Sequence, residues 1–131
     1  MKYICDTNFI LRYLLADNYD MLVKAEEVFN KAKTGEITVT IEQAVFTEVI
    51  FVLSSLYKVP KSKICNILTE FLSYKGINCC NKEIIHLALK YYQELNIHIV
   101  DCLLLANVKK YDASVLTFDK KLASLIANKE I

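Results

Sequence analysis

The sequence predicts an α/β fold in which a mostly parallel sheet is covered by helices. Two observations lead there. Short runs of β-branched or apolar residues alternate with stretches of helical periodicity along the whole chain, and the first and last of those runs stop at a carboxylate. In open α/β sheets, chemistry collects at the carboxyl edge, where strands end and helices begin. With 131 residues, the expectation is a single domain over 1–131, long enough to bury a sizeable core.

The elements follow in order. Tyr3-Ile4-Cys5 reads as a short buried strand ending at Asp6. Phe9, Ile10, Leu11, Tyr13, Leu14 and Leu15 then suit a helix, and Asp20 can cap a second one, which Thr34-Gly35 ends. Ile37-Thr38-Val39-Thr40 is β-branched throughout and predicts the second strand. A long helix is expected from about Ile41 to Tyr57, closed off before Pro60. Another begins at Ser62 and ends near Gly76. Ile77–Cys80 is a short strand candidate, and Asn81 can cap the helix that carries Ile84, Ile85, Leu87, Ala88, Tyr91 and Tyr92. A further helix contains Asp101–Ala106. Ser114-Val115-Leu116-Thr117-Phe118 predicts the last strand, followed by Asp119 and a C-terminal helix through Leu122, Leu125 and Ile126. No internal repeat, linker or low-complexity segment interrupts the series.

Composition excludes several classes. Hydrophobic residues make up 54% of the chain and the mean hydropathy is +0.27. Yet Asp6, Arg12, Glu48 and Asp101 interrupt the apolar stretches, so neither a membrane span nor a signal peptide is expected. A soluble, cytoplasmic protein fits. The net charge of +1 gives no bulk field toward nucleic acid or membrane, although lysines gather at Lys58, Lys61 and Lys63, at Lys109-Lys110 and at Lys120-Lys121. Five cysteines (Cys5, Cys65, Cys79, Cys80, Cys102) include no C-x-x-C pair and lie in apolar stretches. They read as small core residues in a reducing compartment. His86 and His98 have no ligand-like spacing, which argues against zinc.

Four acids stand in unexpected surroundings. Asp6 and Asp119 each end a predicted strand. Glu48 has Ala44, Val45, Phe51 and Val52 three and four positions away, which puts a carboxylate on an apolar helix stripe. Asp101 has Ile97, Leu104 and Leu105 at helical offsets. Each has an ordinary explanation: Asp6 and Asp119 as helix N-caps, Asp101 as a charge favoured at a helix start, Glu48 as the place where the stripe meets water. Taken together they suggest a cluster, and four like charges need a compensating cation. An all-oxygen donor set selects a hard ion such as Mg²⁺ or Mn²⁺, and such a site suits in-line hydrolysis of a phosphodiester. No Ser-His-Asp set, P-loop or G-x-G-x-x-G competes with it.

The chain resembles the PIN-domain ribonucleases, and in size and layout the VapC-type toxins of toxin–antitoxin pairs. The resemblance rests on Asp6-Thr7-Asn8, Thr47-Glu48-Val49, Asp101-Cys102-Leu103-Leu104-Leu105-Ala106 and Thr117-Phe118-Asp119. Each motif is short; their order and spacing carry the likeness. It implies a three-layer α/β/α sandwich and a Mg²⁺- or Mn²⁺-dependent endoribonuclease. It implies Asp6, Glu48, Asp101 and Asp119 as the catalytic and metal-holding acids, with Asn8 and Thr117 supporting them. A homodimer and a cognate antitoxin are implied partners, alongside the RNA substrate. Arg12, one helical turn beyond Asn8, reads either as a surface arginine or as a phosphate or antitoxin contact.

Three rival readings have sequence tests. A receiver-like phospho-acceptor domain wants an acidic pair after the first strand and a lysine after the last; here Asp6 is followed by Thr7-Asn8, and the last strand runs into Phe118-Asp119. A haloacid-dehalogenase-type phosphatase wants Asp-x-Asp, which Asp6-Thr7-Asn8 does not supply. A non-catalytic PIN-like binding module keeps the fold but leaves the four acids without a purpose.

Overall fold

Three parallel strands in the order β1-β2-β3 form the sheet. The computed structural model describes the whole chain, Met1–Ile131, and its contacts divide it into two units, Met1–Lys82 and Glu83–Ile131. The first unit runs β1 (Lys2–Ile4), α1 (Thr7–Leu15), α2 (Tyr19–Lys33), β2 (Thr38–Ile41), α3 (Gln43–Ser55), α4 (Lys61–Leu72) and β3 (Ile77–Cys79). Parallel neighbours need a crossover between them, and here each crossover contains two helices. Register pairs Ile4 with Thr40 and Thr40 with Asn78, so all three strands point their carboxyl ends the same way.

Packing in this unit centres on aromatic rings. Phe29 of α2 is fully buried, with Tyr13 of α1 4.6 Å away between centroids and Phe71 of α4 edge-on at 5.1 Å. Tyr74 extends the cluster, and its hydroxyl shares a 2.8 Å hydrogen bond with that of Tyr13. The chain enters β3 through Gly76, which donates to the carbonyl of Ala32 at 2.7 Å and accepts from Val39 at 2.8 Å. A Cβ at Gly76 would lie 2.1 Å from the Ile37 carbonyl oxygen. Glycine is required there by close backbone approach, the condition under which its missing side chain matters most.

The second unit takes in α5 (Lys82–Glu94, which starts at the boundary), α6 (Ile99–Tyr111) and α7 (Lys120–Ala127). α6 ends at Asp112 in the left-handed conformation, its N–H returned to the Val108 carbonyl. Lys109 donates to the carbonyls of Ile126 and Asn128, tying the last turn of α6 to the end of α7. Lys110 pairs with Glu83. No helix in the chain is long and apolar enough to cross a membrane.

Most expected elements are present, most ends shifted by a residue or two, while α4, expected to run to near Gly76, stops at Leu72. α2 starts earlier than expected because Asn18, not Asp20, caps it, accepting from Met21 N at 3.1 Å. Two expectations fail. The first strand is not buried: it covers Lys2–Ile4, and Ile4 is 78% exposed, because β1 is an edge strand with a neighbour on one side only. Ser114–Phe118 forms no strand; it has no ladder partners, and Leu116 and Phe118 are fully exposed. High β-propensity cannot hold a strand whose N–H and C=O groups meet no neighbouring strand.

Candidate functional site

Asp6 lies one residue past the end of β1, after Cys5, and is the N-cap of α1, its Oδ1 accepting from Phe9 N at 2.9 Å. The ordinary explanation therefore holds for this residue, yet it does not exhaust it. The side chain is exposed and its second oxygen has no bond within the chain. Asp6 also lines a cleft of about 420 Å³ whose other walls are Tyr3, Ile4, Cys5, Phe9, Val28 and Val39. It is the one charged group in that lining. Next to it, burial and then the charge of Asp6 push the Cys5 thiol up to about 12, so Cys5 is a neutral wall and not a nucleophile.

Glu48 lies in the second turn of α3, on its exposed face with Ala44, Phe51 and Ser55. These positions recur at helical spacing, so the stripe read from sequence as core-facing has a second, solvent-facing edge, and Glu48 is on that edge. Phe51, its neighbour, is 66% exposed. Asn8 is exposed on the first turn of α1.

The second unit carries the other two acids. Asp101 is half-buried in the first turn of α6, but the N-cap there is His98, so Asp101 is not the cap. Asp119 is the N-cap of α7, its Oδ1 accepting from Leu122 N at 3.0 Å. The Thr117 hydroxyl accepts from the Asp119 backbone N–H at 3.0 Å. Thr117 thus shapes the turn that presents Asp119.

Sequence reasoning passed over one acid. Continuing the β1–β2 register beyond Ile4–Thr40 brings Asp6 level with Glu42. Glu42 occupies the N-cap position of α3 without making a side-chain capping bond. The signal that singled out Asp6, a carboxylate just after a run of residues that suit a strand, was present at Glu42 too. Arg12 is also placed differently from either reading of it. Its side chain is only 17% exposed, with Nη1 on both carboxylate oxygens of Asp17 at 2.8 and 2.7 Å and Nη2 donating to the Tyr57 hydroxyl at 3.1 Å.

No three His, Cys, Asp or Glu side chains are gathered into a metal-holding group. The donor chemistry nevertheless fits a hard cation. Asp6 and Asp119 each have one carboxylate oxygen free of the capping bond, and Asp6, Glu48 and Asp119 all reach solvent. Cys79, at the end of β3, is buried, and burial raises its thiol above the ordinary value, which disfavours a thiolate ligand.

No curated protein matches the chain. The sequence profile of the PIN domain matches residues 3–127, a span that includes all four acids. PIN domains are generally nucleases, and seven helices with a three-stranded parallel sheet agree with the α/β sandwich of that fold. By that match, over nearly its whole length, the chain belongs to the PIN-domain family.

Proposed function

We propose that this chain is one PIN-like nuclease domain that hydrolyses RNA phosphodiester bonds internally, with Asp6, Glu48, Asp101 and Asp119 holding Mg²⁺ or Mn²⁺. The observation that carries the reading is Asp6: an exposed carboxylate at the carboxyl edge of a parallel sheet, with one oxygen free, in a chain matched to the PIN domain. When bound, the cation supplies a Lewis acid that lowers the pKa of a water and offsets charge on the phosphodiester.

The chain's own groups do the rest. Asp6 is held by its capping bond, so its free oxygen has a fixed direction. Glu48 reaches solvent on α3, which leaves its carboxylate open to a cation. Thr117 sets the turn that presents Asp119. Asn8, two residues beyond Asp6 in the first turn of α1, is assigned to support it.

The biological setting proposed is the cytoplasm, as the toxin of a toxin–antitoxin pair that forms a homodimer and binds a cognate antitoxin. Support comes from large apolar side chains left in solvent, among them Phe51, Leu56, Val100 and Leu104, of the kind that mark protein partners. Five free cysteines fit a reducing compartment.

The deciding experiment is cleavage of an unstructured RNA in Mg²⁺ or Mn²⁺ against excess EDTA. Cleavage is expected only with the metal. Undiminished cleavage in EDTA removes the metal mechanism, and binding of RNA without cleavage in either condition favours the non-catalytic module.

A further inference from the structure

We infer that Arg12 is a positioning residue: bridged between Asp17 and Tyr57, its guanidinium sets the angle between α1, which begins at Asp6, and α3, which carries Glu48. The inference rests on the function proposed above. Arg12 belongs to the last turn of α1. The helix ends at Ala16, left-handed at φ 53, and Asp17 follows at once, bonded to Nη1 through both oxygens. Tyr57 lies two residues beyond α3, its N–H returned to the Val52 carbonyl at 3.2 Å. One side chain therefore joins the far ends of two helices that both start at the carboxyl edge of the sheet.

The acids lie toward the other ends. At about 1.5 Å of rise per residue, Arg12 is about 9 Å along α1 from Asp6, and Tyr57 about 13 Å along α3 from Glu48. A tilt of about 5° at the bridge then moves Glu48 by about 1 Å. A misplacement of that size can cost about a hundredfold in rate. Stability alone is a poor reason for the arrangement. Arg12 Nε is buried and finds no acceptor, and a partly buried ion pair is often matched or bettered by apolar residues of similar volume. What the planar fork supplies is direction, since it fixes both partners at once.

The test removes the hydroxyl or the fork and reads both geometry and turnover. Tyr57→Phe is expected to lower kcat for RNA by about tenfold or more, with KM within about twofold and the melting temperature within about 2 °C. Arg12→Lys keeps the charge but not the fork, and is expected not to restore kcat. The Arg12→Met, Tyr57→Phe double variant is expected to be no worse than Arg12→Met. Parent kcat in Tyr57→Phe, or full activity in Arg12→Lys, overturns the inference.

A second readout needs no activity. Nitroxides at Asn8→Cys and Ala44→Cys, in a Cys80→Ser background that removes the one exposed native thiol, report the distance between the starts of α1 and α3. Tyr57→Phe is expected to shift or broaden that distribution; an identical distribution overturns the inference. If the parent cleaves no RNA, the proposed function fails, and the nitroxide distances still decide whether Arg12 sets the angle.

Discussion

Asp6 shows how one carboxylate can serve structure and chemistry at once. As N-cap it accepts from Phe9 N, and asparagine caps a helix about as well as aspartate. Asp6→Asn should therefore melt within about 0.5 kcal/mol of the parent and lose RNA cleavage by on the order of 10²–10³-fold. Asp6→Ala should lose about 1 kcal/mol more, because the cap goes as well. Thermal melts and cleavage rates of the two variants separate the roles. Full activity in Asp6→Asn would leave Asp6 as a cap and nothing else.

Tyr74 gives a test independent of function. Burial first, then its hydrogen bond to Tyr13, raise its hydroxyl from the ordinary 10.0 to about 12. The raised folded value means that the native state keeps a proton the unfolded chain gives up. The associated stability is fully present below pH 10 and is lost as pH rises through about 12. Cys5 acts in the same sense from 9.0 upward. Denaturant midpoints should therefore fall over that alkaline range, and fall less steeply in Tyr74→Phe.

At the scale of elements, backbone closeness matters as much as side-chain pattern. Gly76 holds β3 against β2 and the end of α2. In Gly76→Ala the added methyl meets the Ile37 carbonyl at 2.1 Å and that of Ala32 at 2.8 Å, backbone atoms that cannot swing aside. A loss of at least about 3 kcal/mol is expected, measured by urea unfolding. A change under about 1 kcal/mol would show that the backbone can shift there.

The helices were legible from sequence because each buries a stripe of helical period, as α4 does with Ile64, Cys65, Leu68, Phe71 and Leu72. β2 was legible because both its neighbours exist, and Val39 and Ile41 are buried. Ile4 and Ser114–Phe118 were misread for one reason. Composition reports how well a residue suits a strand, while burial and pairing depend on which strands lie beside it. The candidate acids were legible as residues. Glu42, level with Asp6, and Asp17 and Tyr57, the partners of Arg12, were not, since register and helix-end geometry bring those into play.

For the molecule as a whole, the open question is whether acids from both units answer to one cation. A cation that binds only the folded state stabilises it by mass action, by about 2.7 kcal/mol at a hundred times its dissociation constant. Asp101 is the informative residue because it is neither a cap nor bonded to a backbone N–H at the start of α6. Replacing it by Asn removes a charge that favours the helix N-terminus, worth about 0.3–1 kcal/mol, and leaves the packing intact. In EDTA, Asp101→Asn should therefore melt only slightly below the parent. In millimolar Mn²⁺ the parent should rise and the variant should rise much less, as should Asp6→Asn. The paired substitution should be no worse in cleavage than either alone, because groups that act as one unit do not add. If Asp6→Asn abolishes the Mn²⁺ response while Asp101→Asn keeps it whole, the cation is held by Met1–Lys82 alone, and Asp101 has a different task in this PIN domain.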